Sequence, residues 1–324
     1  MLVDDTVYVG SRKGRVLALE STTGKVKWQF PGDEDKTLVG IYGTPSVVDG
    51  VVYIGAYDGK VYALDAASGT EKWEYETEEP IVGSPLIANG TVYVGSSNGK
   101  FYALDAASGE WKWEFKAANK IWSGAAIYED IVYFGSLDHK LYAVDAVTGQ
   151  KKWEFETGAA IASTPLVNER TVYVGSFDGK LYAIDALGGQ EKWHFEAGNW
   201  FWTRVLTSEG TIYTASLDHK VYAIDSRTGV KKWEFKTEGP IHSWPVLVDG
   251  SVVVGSKDSN IYSLDARTGT KEWAFPAGGE VLAPLSTDGE VIYVSTAKDI
   301  VYALEAQNGA RLWEYPKPEP EQGK

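Results

Sequence analysis

The chain has 324 residues, no cysteine, and 45 acidic against 31 basic side chains, a net charge of −14. The lack of Cys excludes a disulfide framework and any thiolate metal site, and the acidic balance disfavours nucleic acid, which needs a basic patch. No run of about 18 apolar residues is present to cross a membrane as a helix, and no signal-peptide pattern is found.

From the N-terminus onward, one unit recurs eight times. Its ruler is Trp28, Trp73, Trp113, Trp153, Trp193, Trp233, Trp273 and Trp313, spaced once by 45 and then six times by 40 residues. A period of this size marks a solenoid, propeller or array. In the fifth copy the β-type runs are Ile161 to Val167 (with Pro165 inside), Thr171 to Ser176, Lys180 to Asp185 and Glu191 to Phe195. They are rich in Val, Ile, Tyr and Trp and punctuated by turn residues. Nowhere do apolar residues recur at helical spacing. Asp178-Gly179, like Asp58-Gly59, suits a two-residue hairpin turn with positive φ. Asp65, Ser68 and Gly69 form a turn in which the Asp side chain bonds local amides and the Gly takes the left-handed conformation. Each copy is therefore expected to be a four-stranded antiparallel meander.

A lone sheet with two apolar faces cannot bury both. Radial stacking buries each face on a neighbour, and propellers hold roughly four to eight such blades. An open stack would expose two apolar end faces, and neither end shows a polar capping copy. The expected fold is all-β: one eight-bladed β-propeller over 1–315, with blades at 1–30, 31–75, 76–115, 116–155, 156–195, 196–235, 236–275 and 276–315. The Pro-rich tail 316–324 reads as a linker or disordered end. Leu2-Val3 aligns with Leu166-Val167, which puts Met1 inside an inner strand. The natural chain is therefore expected to continue upstream, with a signal sequence or an anchor. Ring closure is expected without a strand exchanged between the termini, and with a short inner strand in blade 1.

The signature Ala-x-Asp-x-x-Thr/Ser-Gly-x-x-x-Trp covers nearly the whole chain, as in Ala63, Asp65, Ser68, Gly69, Trp73 and again in Ala143, Asp145, Thr148, Gly149, Trp153. It resembles the tryptophan-docking motif of the PQQ-repeat propellers. That family includes quinoprotein alcohol and glucose dehydrogenases, the BamB lipoprotein of outer-membrane assembly and extracytoplasmic sensor domains of some kinases. The resemblance implies that each Trp docks between adjacent blades and that the Asp and Thr-Gly hold the turn that positions it. Departures are Glu20 and Glu305 for Asp, Ser263 for Ala and Gly188 for Thr.

Positions common to all copies serve the fold, so function is sought where the copies differ. Counted back from the first Val or Ile of the second strand, position seven is mostly Pro: Pro45, Pro85, Pro165 and Pro245. Positions eleven, nine and seven back share one face by strand alternation, and they are regular. The other face is irregular. Ten back lie Tyr42, Val82, Trp122, Ala162, Trp202, His242 and Leu282, and eight back lie Thr44, Ser84, Gly124, Thr164, Arg204, Trp244 and Pro284. His139 and His219 replace the hairpin-turn Gly in the blades that carry Trp122 and Trp202. Trp122, His139, Trp200, Trp202, Arg204, His219, His242 and Trp244 are thus expected around one mouth of the channel. A Trp and a His of one blade can equally pack on each other after duplication of a blade pair. Arg204 fits that account less well, because Arg is almost never buried unpaired. An Arg beside aromatic rings suits an anionic planar ligand.

The resemblance also raises a quinoprotein dehydrogenase with PQQ and Ca²⁺. The adjacent Cys pair of many such enzymes is absent, and so are their long insertions, the largest excess being the extension at Pro31 to Thr37. Ca²⁺ wants several convergent oxygens, and Asp58, Asp138 and Asp178 are turn formers first. His139 and His219 lie two blades apart, and sheets stack about 10 Å apart against ligand bonds of about 2 Å. The expectation is a non-catalytic monomer without cofactor that binds a protein partner or a small anionic or aromatic ligand, as a BamB-like scaffold. The alternatives are a PQQ-binding module and a ligand-sensing domain of a larger receptor or kinase. By resemblance, the location is extracytoplasmic.

Overall fold

The computed structural model describes residues 1–33 and 38–317. The blade-2 extension at 34–37 and the tail from 318 on lie outside them. The described residues form eight four-stranded antiparallel sheets, and each sheet uses four strands consecutive in sequence. Blade 5, for example, consists of Leu166–Asn168, Thr171–Gly175, Lys180–Asp185 and Glu191–Glu196. Among the described residues no strand is exchanged between blades, and blade 1 has the short inner strand Leu2–Val3.

Two sequence expectations need correction. Leu2 pairs with Val7 as Val167 pairs with Val172, so the alignment of Leu2-Val3 with Leu166-Val167 was one residue out of register. The inner strand is also shorter than expected, starting at Leu166 rather than Ile161. Pro165 offers no N–H to a ladder, and the residues before it bond to neighbouring turns instead. Blade 4, where Ala125 stands in place of Pro, extends its ladder by one pair, Ala125 with Phe134. Side-chain alternation persists outside the ladder: Ile81, Gly83 and Pro85 are buried, while Val82 and Ser84 are partly exposed.

The blades are joined by a repeated clamp. Trp113 Nε1 of blade 3 donates to the carbonyl of Ala146 in blade 4 at 3.1 Å, and Tyr93 OH donates to the same oxygen at 3.1 Å. The same double contact is made by Trp28 and Tyr8 on Ala66, Trp73 and Tyr53 on Ala106, Trp153 and Tyr133 on Ala186, Trp193 and Tyr173 on Ser226, and Trp233 and Tyr213 on Ala266. The Trp ring then lies on the turn glycine of the next blade. A Cβ on Gly149 would come within 2.6 Å of Trp113, and this glycine has φ +70°. Two constraints therefore select Gly here, the left-handed backbone and the ring above it.

The receiving turn is built by its Asp. Asp145 Oδ1 accepts from the amides of Val147 and Thr148 and from the Thr148 hydroxyl. The bond from Lys152, followed by the Thr148 amide, pulls the Asp145 carboxyl down to about 2. Where Gly188 replaces Thr, the amide bond to Asp185 remains at 2.9 Å and only the hydroxyl contact is lost. A β-bulge lies beside each docking Trp, as between Ala103 and Leu104, and locally bends the outer strand. Trp313 closes the ring by donating to Ser21 O at 2.7 Å, and Val7 and Leu19 of blade 1 pack on Tyr293, Val301 and Ala303 of blade 8.

Trp113→Ala is expected to lower the unfolding free energy by about 3–5 kcal/mol, the cost of emptying a buried aromatic site. Trp111, 54% exposed two residues away, is the control, with a change under about 0.5 kcal/mol. Chemical denaturation of the two variants measures this; similar midpoints would show that blade docking does not depend on the Trp.

Candidate functional site

The two irregular positions of each inner segment point toward the axis. They bound a central pocket of about 370 Å³ to which all eight blades contribute among the described residues. Of the expected residues, Trp122, Trp202, His242 and Trp244 line it. Arg204 is not among the residues that line it; its guanidinium lies beside it, 5.8 Å from the centre of the Trp244 ring. Trp202 and His242 are 5.9 Å apart. Trp200 does not line the pocket; it stacks at 4.4 Å on Phe177, which in turn stacks at 5.3 Å on Trp202.

His139 and His219 are not brought to this pocket. Both take the positive φ expected of the turn, 75° and 73°. Their carbonyls accept from the hydroxyls of Thr157 and Thr237 in the outgoing connections. The turn residue nearer the axis is two positions earlier. There Arg12 and Tyr57 line the pocket, and Phe177 stacks with the two Trp rings. Sequence reasoning missed this position, although the signal was present. Across the copies it reads Arg12, Tyr57, Ser97, Leu137, Phe177, Leu217, Lys257 and Ala297, as irregular as the inner positions.

The electrostatics of the pocket are opposite to those of the chain. Among the described residues that line it there is no carboxylate, while Arg12 and His242 are present. Arg12 lies 5.5 Å from the centre of the Tyr42 ring, and Lys120 lies 5.8 Å from that of Trp122. Burial lowers the Arg204 guanidinium from its usual range, and among the described residues it has no ion pair or hydrogen bond. Burial first, then the charges of Lys257 and Arg12, pushes His242 down to about 4, so its imidazole is neutral at pH 7. Trp122 Nε1 donates to Ser97 Oγ at 3.1 Å, whereas the indole N–H groups of Trp202 and Trp244 have no acceptor among the described residues.

This donor set does not suit Ca²⁺, which takes carboxylate and carbonyl oxygens. No cluster of three or more His, Asp or Glu suited to a metal occurs among the described residues. The turn aspartates are already engaged: Asp138 accepts from the Lys140 amide, the Tyr142 hydroxyl and the Ala118 amide. The cations and ring faces instead match a planar or flexible anion.

Fold and repeat together define a closed eight-bladed propeller of PQQ-like repeats. The chain belongs to the β-propeller family described for the beta-alanine-activating enzyme, whose model matches residues 83–281, more than half its length. A second model, that of the outer membrane protein assembly factor BamB, matches residues 12–123. Comparison with curated protein sequences gave no match. Among solved structures, BamB from Moraxella catarrhalis is 24% identical, with a TM-score of 0.80 over 93% of this chain and 94% of its own. The computationally designed Ika8 protein is 18% identical, with a TM-score of 0.84 over 94% of each chain. A quinohemoprotein alcohol dehydrogenase from Pseudomonas putida HK5 is 18% identical, with a TM-score of 0.77 over 94% of this chain and 69% of its own. At these identities the likenesses establish the fold.

His242 offers a pH test. Its folded pKa of about 4 lies below the ordinary 6.5, so between these values the unfolded chain binds more protons. Stability is expected to fall as pH drops through this window. NMR titration of the His242 ring should give a midpoint near 4; a midpoint near 6.5 would show that the ring is not buried at the mouth.

Proposed function

We propose that this protein is a non-catalytic binding propeller whose channel mouth receives an anionic group carried by a small planar ligand or by an acidic segment of a protein partner. The observation that carries this reading is that the described residues lining the mouth include no carboxylate, in a chain with net charge −14. Arg204 is half-buried beside Trp244 and has no carboxylate partner among the described residues. An unpaired charge in such a place is costly, and an incoming anion offsets that cost. The match to the BamB model supports a scaffolding role outside the cytoplasm, and signal from the protein confined to a cytoplasmic fraction would count against that placement.

Titration with 1,3,5-benzenetricarboxylate, followed by tryptophan fluorescence, tests the site. Binding should saturate, weaken with salt and strengthen as pH falls toward 5, because a bound anion favours protonated His242. Arg204→Ala should weaken it by about tenfold or more, the loss of one charge-assisted contact, with the denaturation midpoint near wild type. Unchanged affinity in this variant would remove Arg204 from the site.

The dehydrogenase neighbour calls for a second test. Protein incubated with PQQ, Ca²⁺ and an alcohol or sugar is expected to reduce no dye above a protein-free control. Turnover that disappears on Ca²⁺ removal would overturn the non-catalytic reading.

A further inference from the structure

A second concave feature lies at the seam of blades 8 and 1, a groove of about 400 Å³. The seven other seams show how such a place is normally covered. At the seam of blades 2 and 3, Ile81 inserts over Gly55, so closely that a Cβ there would lie 2.2 Å from its Cγ2. Ile81 N donates to Ala56 O at 3.1 Å, and Ser97 N donates to Pro80 O at 2.9 Å. The connection thus delivers an aliphatic plug, one donor and one acceptor together. Ile41, Ile121, Ile161 and Val281 repeat the arrangement with their own partners, and Phe201 does so with an aromatic ring as the plug.

Within the described residues no connection crosses the seam of blades 8 and 1. Among the described residues the corresponding groups are Thr296 O, which accepts only from the Asp299 amide, and Arg12 N–H, which has no acceptor. The plug position lies over Ser295, which is partly exposed beside Leu17, Val294 and Val301. A Cβ on the floor is tolerated: Ala215 occupies this position under the fully buried Ile241. Arg12, Lys13, Arg15 and Lys298 border the groove, and among its described residues Asp299 is the single carboxylate.

We propose that this seam docks an extended segment of another polypeptide, with a β-branched anchor preceded by acidic residues and followed two positions later by a small one. The anchor fills the space over Ser295. Its N–H donates to Thr296 O, and the carbonyl before it accepts from Arg12 N–H. This is strand-type recognition, in which main-chain bonds give affinity and one side-chain pocket gives selectivity. The acidic residues face the basic rim.

The probe is a fluorescein-labelled, C-terminally amidated octapeptide, Glu-Glu-Pro-Ile-Val-Gly-Ser-Pro, which copies residues 78–85. Anisotropy with the full chain should show saturable binding. A peptide with Asp in place of the Ile should bind about tenfold more weakly or less, and one with Lys-Lys in place of Glu-Glu should also lose affinity. Ser295→Phe, checked for an unchanged thermal midpoint, should block binding; if that variant does not fold, the peptide variants decide. Arg204→Ala should leave the affinity unchanged, and loss of binding in it would assign the peptide to the channel mouth and overturn the proposal. No saturable binding, or equal binding of the Asp peptide, would overturn it too. A dimer of the free chain that the peptide dissociates would make a second copy the occupant and overturn the choice of a foreign segment.

Discussion

Every blade of this ring is fixed to the next by one carbonyl oxygen. In most blades that oxygen accepts from a Trp N–H and a Tyr O–H of the preceding blade, and the Trp ring covers the glycine three residues further on. A buried carbonyl with two charge-neutral donors is fully satisfied, and two large aromatic rings are desolvated at the same point. The contact demands a fixed turn, which explains why an acidic residue organises it in every copy, Asp in six and Glu20 and Glu305 in the other two. It also demands a fixed distance between successive Trp residues, because each blade must present its turn where the previous ring ends. The period of the sequence is thus the period of this contact.

Because the clamps lie on the outer part of the blades, the inner segments are under a different constraint. Their packing face must remain small and apolar. Ser123, Ser163 and Ser243 bond the backbone of their own second strand, and the aliphatic plugs fill the seams. The axial face has no such duty. Side chains there are held at both ends by a rigid scaffold, a setting in which binding groups can vary without loss of fold. Trp122, Trp202 and Trp244 occupy that freedom here, and Arg12 joins them from a hairpin turn. The separation of the two faces by simple strand alternation allows one architecture to serve unrelated roles, and the family comparison reflects this: an enzyme-associated propeller and an outer-membrane assembly factor share the repeat.

The charge distribution follows the same division. Lysine and glutamate pairs such as Lys140 with Glu154 and Lys220 with Glu234 sit on the exposed outer strands, where they contribute solubility and little stability. The mouth, by contrast, holds cations over aromatic faces and no carboxylate among its described residues. In a pocket with low-dielectric walls such cations act on an incoming anion more strongly than they would in water.

The sequence alone determined the number of blades, the strand order, the docking residues and the division into a regular and an irregular face. All of these follow from local periodicity: a Trp every 40 residues, an Asp turn before it, and alternation along an extended strand. It also singled out Arg204, because a cation among small residues breaks the pattern. Only the tertiary structure decided which irregular residues meet. His139 and His219 looked like partners of Trp122 and Trp202, yet a hairpin turn presents a different residue to the axis, and neither His lines the pocket. Arg12 and Phe177 belong to the mouth or to its rim because turns of one blade reach the inner segment of the next, while Tyr57 meets Tyr42 of its own blade. Contacts across blades depend on the rotation between sheets, and that rotation is set by the whole ring rather than by any single repeat.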